Sequence, residues 1–143
     1  MRRELLSEIS PVTVIGAATL AADNTPTTID LLGANSATIL LSVGVGGITF
    51  SGVNKIDFKL THSDDDVTYT DVVTADITGN DAVAVITGII RSFIATHATA
   101  TVYRFNYVGT KRYLKLLADF SGTHGTGTPI SAVLIRGNLN ISV

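Results

Sequence analysis

Cysteine is absent from the chain, and so is tryptophan. Without cysteine there are neither disulfides nor thiolate metal sites, and with no cross-links the redox compartment cannot be read. Without tryptophan, and with aromatics at only 6% of residues, no platform for stacking sugars is visible. Charge is scarce as well: 15% of residues carry it, against about 25% in an ordinary soluble domain. The net charge of −2 argues against general nucleic-acid binding. No apolar run reaches the ~18 residues of a membrane span. Arg2 and Arg3 precede an apolar stretch, Val12 to Ala22, but Glu4, Ser7, Glu8, Ser10 and Pro11 interrupt the approach. A secretory signal rarely tolerates such interruptions, so the chain is expected to be made and kept in the cytoplasm.

What is present is apolar and β-branched. The 143 residues are 45% hydrophobic, with a mean hydropathy of +0.39. That length implies one domain, burying roughly two-thirds of its unfolded surface. Low charge beside many Thr, Ala, Val and Ile residues points to a surface partly covered in use, as in a shell, a filament or a tight oligomer. The few charges are segregated. From Leu60 to Asp81 lie Asp64, Asp65, Asp66, Asp71, Asp76 and Asp81 with no lysine or arginine; from Ala82 to Ala118 lie Arg91, Arg104, Lys111, Arg112 and Lys115 with no acid. On different edges of the domain, these blocks would offer complementary patches to neighbouring subunits. Facing each other, they would neutralise within one subunit.

Residues 1–28 read as an N-terminal arm. Arg2 to Ile9 has helical spacing, with Glu4 and Glu8 four apart and Leu5, Leu6 and Ile9 on one side; Pro11 stops it, and Asp23-Asn24-Thr25-Pro26 marks a turn. The arm either adds to a neighbour's sheet edge or lies along its own domain. Residues 29–143 form the domain proper, where period-two alternation predicts half-buried strands. Ala37, Ile39, Leu41, Val43 and Val45 share one face; Ile56, Phe58 and Leu60 share another. Val67 and Tyr69 alternate with Thr68 and Thr70 after an acidic turn, and Asp71 breaks phase. Tyr103, Phe105 and Tyr107 follow, then Leu114, Leu116, Ala118 and Phe120. At the end, Val133, Ile135, Gly137, Leu139 and Ile141 alternate with Leu134, Arg136, Asn138 and Asn140. Six or more such strands predict an all-β fold, an antiparallel β-sandwich of jelly-roll-like type. Residues 82–97 fit both a helix, through Ile86, Ile89, Ile90, Phe93, Ile94 and His97, and two short strands flanking Gly88. The β-branched content favours strands.

Asp64-Asp65-Asp66 is the one candidate for a hard cation, with Asp64 and Asp66 as the weak ligand candidates. An alternating ligand pattern is missing, and consecutive acids point different ways, so a solvated hairpin turn is the simpler reading. His62, His97 and His124 lack metal-ligand spacing, and no phosphate loop or nucleophile elbow is present. No cofactor is implied, and no enzyme is expected. Lys111, Arg112 and Lys115 with Tyr107 and Tyr113 have the composition of a nucleic-acid strip. Alternation splits them between two faces, and a cationic strand that restricts edge pairing explains them more simply.

The run Phe58-x-Leu60-x-x-Ser63-Asp64-Asp65-Asp66-x-x-Tyr69-x-x-Val72, with Tyr107-Val108-Gly109-Thr110-Lys111-Arg112-Tyr113-Leu114 later, resembles small virion proteins of tailed bacteriophages, the head decoration or cement type. The same two motifs are similar to the discoidin-type jelly roll, in which an S-x-D-G hairpin precedes an aromatic and an A-R-Y-V-R strand follows. The resemblance spans about residues 29 to 137. It departs from the discoidin pattern at Asp66, where glycine is usual, and in lacking aromatic spikes at loop tips. It implies a structural protein of the virion, assembled in the host cytoplasm, that binds the major capsid protein as a homo-oligomer, with a trimer favoured. Asp64, Asp65, Asp66, Arg104, Lys111, Arg112 and Lys115 are then the expected contact residues. A carbohydrate- or receptor-binding module of a phage tail, neck or fibre is the alternative.

Overall fold

The computed structural model describes residues 5–79 and 85–139. Ten strands follow in chain order: β1 (Ile9–Leu20), β2 (Ile29–Asp30), β3 (Ala34–Val43), β4 (Lys55–Ser63), β5 (Thr70–Asp71), β6 (Ile77–Thr78), β7 (Ile89–Phe93), β8 (Thr101–Tyr107), β9 (Tyr113–Ser121) and β10 (Thr128–Leu139). They form two antiparallel sheets packed as a sandwich, as the alternation predicts. Sheet A has the order β1-β10-β3-β8-β6; sheet B has the order β2-β9-β4-β5, with β7 also paired to β4. Counting the short strands, successive strands alternate between the sheets along the chain except at β4 and β5, which pair within sheet B, so the other connections cross from one sheet to the other. No described helix is long and apolar enough to cross a membrane.

The core is made by one face of each strand. Ile39, Leu41 and Val43 of β3, Ile56, Phe58 and Leu60 of β4, Phe105 of β8, and Leu114, Leu116 and Ala118 of β9 are completely buried. Each large side chain so placed contributes about 1.5–3 kcal/mol of hydrophobic burial. Phe93 meets Phe58 edge-to-face with ring centroids 5.8 Å apart, joining β7 to the same core. In β10 the core residues are Ile130, Ala132 and Leu134. Val133 and Ile135, the apolar members of the other phase, therefore point outward.

Several expectations change. The helix expected at Arg2 to Ile9 is, in its described part, a single 3-10 turn at Leu6–Glu8 leading straight into β1. Leu5 and Leu6 remain exposed, so an amphipathic helix there has nothing to pack against. The segment from Ile9 onward is an edge strand of the domain's own sheet, paired with β10 from Ile9↔Gly137 to Leu20↔Thr128. Pro11 is tolerated because β1 is an edge. Val45 lies beyond β3 and is exposed, as is Val67 in the acidic loop. Asp71, which breaks the sequence alternation, pairs in register with Thr61 in the two-residue β5.

Between residues 82 and 97 the described part takes the strand form. Thr87 and Gly88 both have positive φ, 50° and 77°, and the amide of Ile89 donates to the carbonyl of Ile86 at 2.9 Å. Two left-handed residues closing such a bond make the tight turn that suits the twist of paired strands. That turn breaks the helical spacing, and β7 follows it. Residues 82–84, Asn140 and Ile141 lie outside the described residues.

Candidate interaction surfaces

The two charged stretches meet. The loop from Asp64 to Tyr69 joins β4 to β5, and the loop from Val108 to Arg112 joins β8 to β9 beside it. Each acid takes a separate task. Asp64 forms an ion pair with the Lys111 ammonium. Asp65 accepts hydrogen bonds from the amides of Thr68 (2.8 Å) and Val67 (2.9 Å) and from the Ser63 hydroxyl (2.8 Å). Those bonds, the Thr68 amide first, hold its carboxyl down to about 2. Asp66 accepts the Tyr69 and Thr28 hydroxyls, which lower its pKa. Asp66 sits at φ 59°, the left-handed conformation that Asp tolerates and glycine favours. The three carboxylates thus diverge, and the described residues hold no cluster of three His, Cys, Asp or Glu side chains suited to a metal.

The cations are engaged on the same side. Arg112 clamps Asp30 with two bonds, Nε at 2.8 Å and Nη2 at 2.7 Å. The guanidinium holds the Asp30 carboxyl down to about 2, and also stands 4.8 Å from the Tyr113 ring centre. The Lys115 ammonium rests 4.1 Å from the centre of the Tyr69 ring. The acidic hairpin and the basic segment therefore face each other inside one subunit, rather than lying on different edges as complementary patches. Lys111 and Arg112, read from the sequence as part of a cationic strand, precede β9, which begins at Tyr113. Gly109 is required by contact, since a Cβ there would collide with the Tyr107 phenol tucked beneath the loop.

Tyr107 anchors both loops. Its hydroxyl oxygen accepts the Lys111 amide at 3.1 Å and shares a hydrogen bond with His62 Nδ1, 2.9 Å away. Burial pushes the phenol up to about 12, so it keeps its proton at any ordinary pH. The other histidines are structural too. His97 lies within 2.8 Å of the Gly44 carbonyl and 3.0 Å of the Tyr103 hydroxyl. His124 is buried and bonds the Ser121 carbonyl at 2.8 Å.

Directly opposed residues of an antiparallel pair share a face, so register assigns each outer surface. On sheet B the outward rows are Lys55–Ser121, Asp57–Asp119, Lys59–Leu117, Thr61–Lys115 and Ser63–Tyr113, with Asp71 opposite Thr61 and Asp30 opposite Tyr113. Lys55 reaches Asp57 at 2.6 Å, which relieves the Asp57–Asp119 opposition, and Lys59 reaches Asp71 at 3.0 Å. Pro26, Lys59, Thr61, Tyr69, Lys115 and Leu117 surround an open groove of about 310 Å³ on this face.

On sheet A the outward rows are Thr13–Val133–Leu40–Arg104, Pro11–Ile135–Thr38–Asn106 and Ser131–Ser42–Val102. Among the described residues of these rows, Arg104 carries the single charge. Of the seven expected contact residues, Arg104 alone lies here; Lys115 lies on sheet B, and the rest lie in the two loops at one end of the sandwich. Reading the sequence strand by strand misses this uncharged face, because no one strand displays it. The available signal was the second apolar phase of β10, Val133 and Ile135 beside Leu134.

No family model, curated protein or solved structure matches this chain. Its function is therefore argued from these surfaces.

Proposed function

We propose that this chain is a structural protein of a tailed-bacteriophage virion, a capsid decoration or cement protein that seats on the assembled head and stabilises it. The observation that carries this reading is the outer face of sheet A, five strands wide and charged only at Arg104 among its described outward rows. A partly apolar face of this extent suits permanent contact more than exposure to water. The strand order, in which β7 to β10 step alternately from one sheet to the other, supports the jelly-roll part of the reading. The major capsid protein is the proposed partner and the virion the proposed location. The chain acts as a homo-oligomer, with no catalytic residue, cofactor or nucleic acid in the mechanism. The pairs Asp64–Lys111 and Asp30–Arg112 form within one chain, and the reading does not draw on them for subunit contacts.

Binding to shells of the parent phage tests the reading. The purified protein is expected to co-sediment with mature heads, and Ile135→Lys to weaken that binding by about tenfold or more through a desolvated, unpaired charge. Lys111→Gln, in a loop at the end of the sandwich, is expected to bind as the unmodified chain does. Failure to bind heads at all overturns the proposal.

A receptor- or carbohydrate-binding role is the second reading, favoured by the sheet B groove. Tyr69 forms one wall, oriented by Asp66 and Thr28, with Leu117, Thr61 and the two lysines around it. Saturable glycan binding that Tyr69→Ala abolishes would support it over the first.

A further inference from the structure

Four cations of sheet B and its end loops each hold a carboxylate: Lys55 holds Asp57, Lys59 holds Asp71, Lys111 holds Asp64 and Arg112 holds Asp30. Lys115 is the exception. Among the described residues no acid lies within ion-pair distance of it, and its ammonium rests instead 4.1 Å from the centre of the Tyr69 ring. Lys115 lines the sheet B groove of about 310 Å³. Two directly opposed strand pairs, Thr61–Lys115 and Lys59–Leu117, make most of that groove, and Tyr69 and Pro26 complete it.

Two of the six lining residues are cationic and none is acidic. The neighbouring acids, Asp71 and Asp66, do not line it. Asp71 takes one bond of the Lys59 ammonium at 3.0 Å, while Asp66 accepts the Tyr69 and Thr28 hydroxyls. An ammonium has three donors, so Lys59 keeps donors for a second anion. Lys115 has no carboxylate to give up before it takes one.

We propose that this groove binds an acidic saccharide, a pyranose carrying a carboxylate, with that carboxylate held by Lys115 and Lys59. The inference rests on the carbohydrate-binding reading of the groove and names the class of sugar. Each part of the lining has a counterpart in such a ligand. The two ammonium groups match a carboxylate through charge-assisted hydrogen bonds. The Thr61 hydroxyl has no protein partner among the described residues, and it can donate to or accept from a sugar hydroxyl. Leu117 and Pro26 offer aliphatic surface to the C–H face of the ring. A neutral sugar would depend on stacking, and there the groove is poor. Tyr69 is the one aromatic ring in the lining, and the Lys115 ammonium already occupies a face of it. The same contact works against single-stranded nucleic acid, which stacks its bases on bare aromatic faces. Charge therefore supplies the selectivity, and Tyr69, fixed through its hydroxyl by Asp66, holds the cation in place.

Tetragalacturonate and its methyl ester differ in the charge of their carboxylates, so calorimetric titration of the full chain with both tests the inference directly. Tetragalacturonate is expected to bind saturably and the ester about tenfold more weakly or less still, the worth of one charge-assisted hydrogen bond. Lys115→Gln is expected to weaken tetragalacturonate binding by about tenfold with an unchanged circular-dichroism spectrum. Lys111→Gln, outside the groove, is expected to bind as the unmodified chain does. Equal binding of acid and ester overturns the inference and leaves carbohydrate binding standing. Acid binding that Lys115→Gln does not weaken, or polyglutamate binding as tight as that of the saccharide, also overturns it. Binding of neither saccharide overturns the inference and the carbohydrate reading together. Should Lys115→Gln fail to fold, the acid and ester compared on the unmodified chain decide alone.

Discussion

The two outer faces of this sandwich are built on the same core and treat charge in opposite ways. Sheet B and the loops at its end carry a mosaic of ion pairs in which Lys55 covers the buried Asp57, Lys59 meets Asp71, Lys111 meets Asp64 and Arg112 meets Asp30. Sheet A shows threonine, serine, proline and aliphatics around Arg104. Exposed ion pairs add little stability, with a median near 0–1 kcal/mol, so the mosaic is better understood as making one face soluble and fixing two loops. An uncharged face has no such account within a monomer. The contrast is what singles out sheet A as the proposed contact surface.

The sharpest way to break the comparison lies within β10, where neighbouring residues face opposite ways. Leu134→Ala is expected to cost about 2–5 kcal/mol by leaving a cavity, whereas Ile135→Ala costs about 1 kcal/mol or less in the isolated chain. Urea denaturation measures both, and equal losses would mean that the outward face is part of the core. Next in size is Tyr107→Phe, expected to cost about 1–3 kcal/mol by leaving the Lys111 amide and His62 without their shared partner, visible as a lowered Tm.

Smaller effects belong to the charged face. Asp65 has a folded pKa of about 2, below the ~3.9 of an unfolded aspartate. Its stabilisation is therefore complete above the unfolded value and is lost as pH falls toward the folded one. Asp65→Asn is expected to lower Tm at neutral pH, and the gap to the unmodified chain to close between about pH 4 and pH 2; a gap that persists at pH 2 would assign the loop's order to something other than charge. Smallest of all, Lys111→Gln should change stability by less than about 1 kcal/mol, and what difference exists should shrink in molar salt.

The inner face was legible in the sequence wherever one phase was polar. Lys55, Asp57 and Lys59 alternate with Ile56, Phe58 and Leu60, and burial follows that alternation except at Asp57, which is buried beneath Lys55 and Ser92. It was ambiguous in β10, where Val133 and Ile135 are as apolar as Leu134 and only sheet partners decide which points inward. Residues 86–97 carried helical spacing by coincidence, and the left-handed Thr87-Gly88 turn overrode it. The hairpin acids were readable as turn formers, since Asp65 bonds the backbone just ahead. Their cations were not, because Asp64 and Lys111 lie 47 residues apart and Asp30 and Arg112 lie 82 apart. Nor does local sequence show that Asp23 and Asn24 bond the edge of β9, almost a hundred residues downstream.

The position of β10 between β1 and β3 sets an order of events during synthesis. Arg136 bonds Ser10 across 126 residues of chain, and β1 waits for a partner that leaves the ribosome after every other described strand, whereas β3 can pair with β8 sooner. Until β10 emerges, an uncharged strand remains unpaired in the nascent chain. Closing so long a loop is slow, and folding dominated by such pairings takes milliseconds to seconds. Sheet B, whose β4 and β9 need no residue beyond Ser121 to pair, can assemble first and act as the template on which sheet A closes.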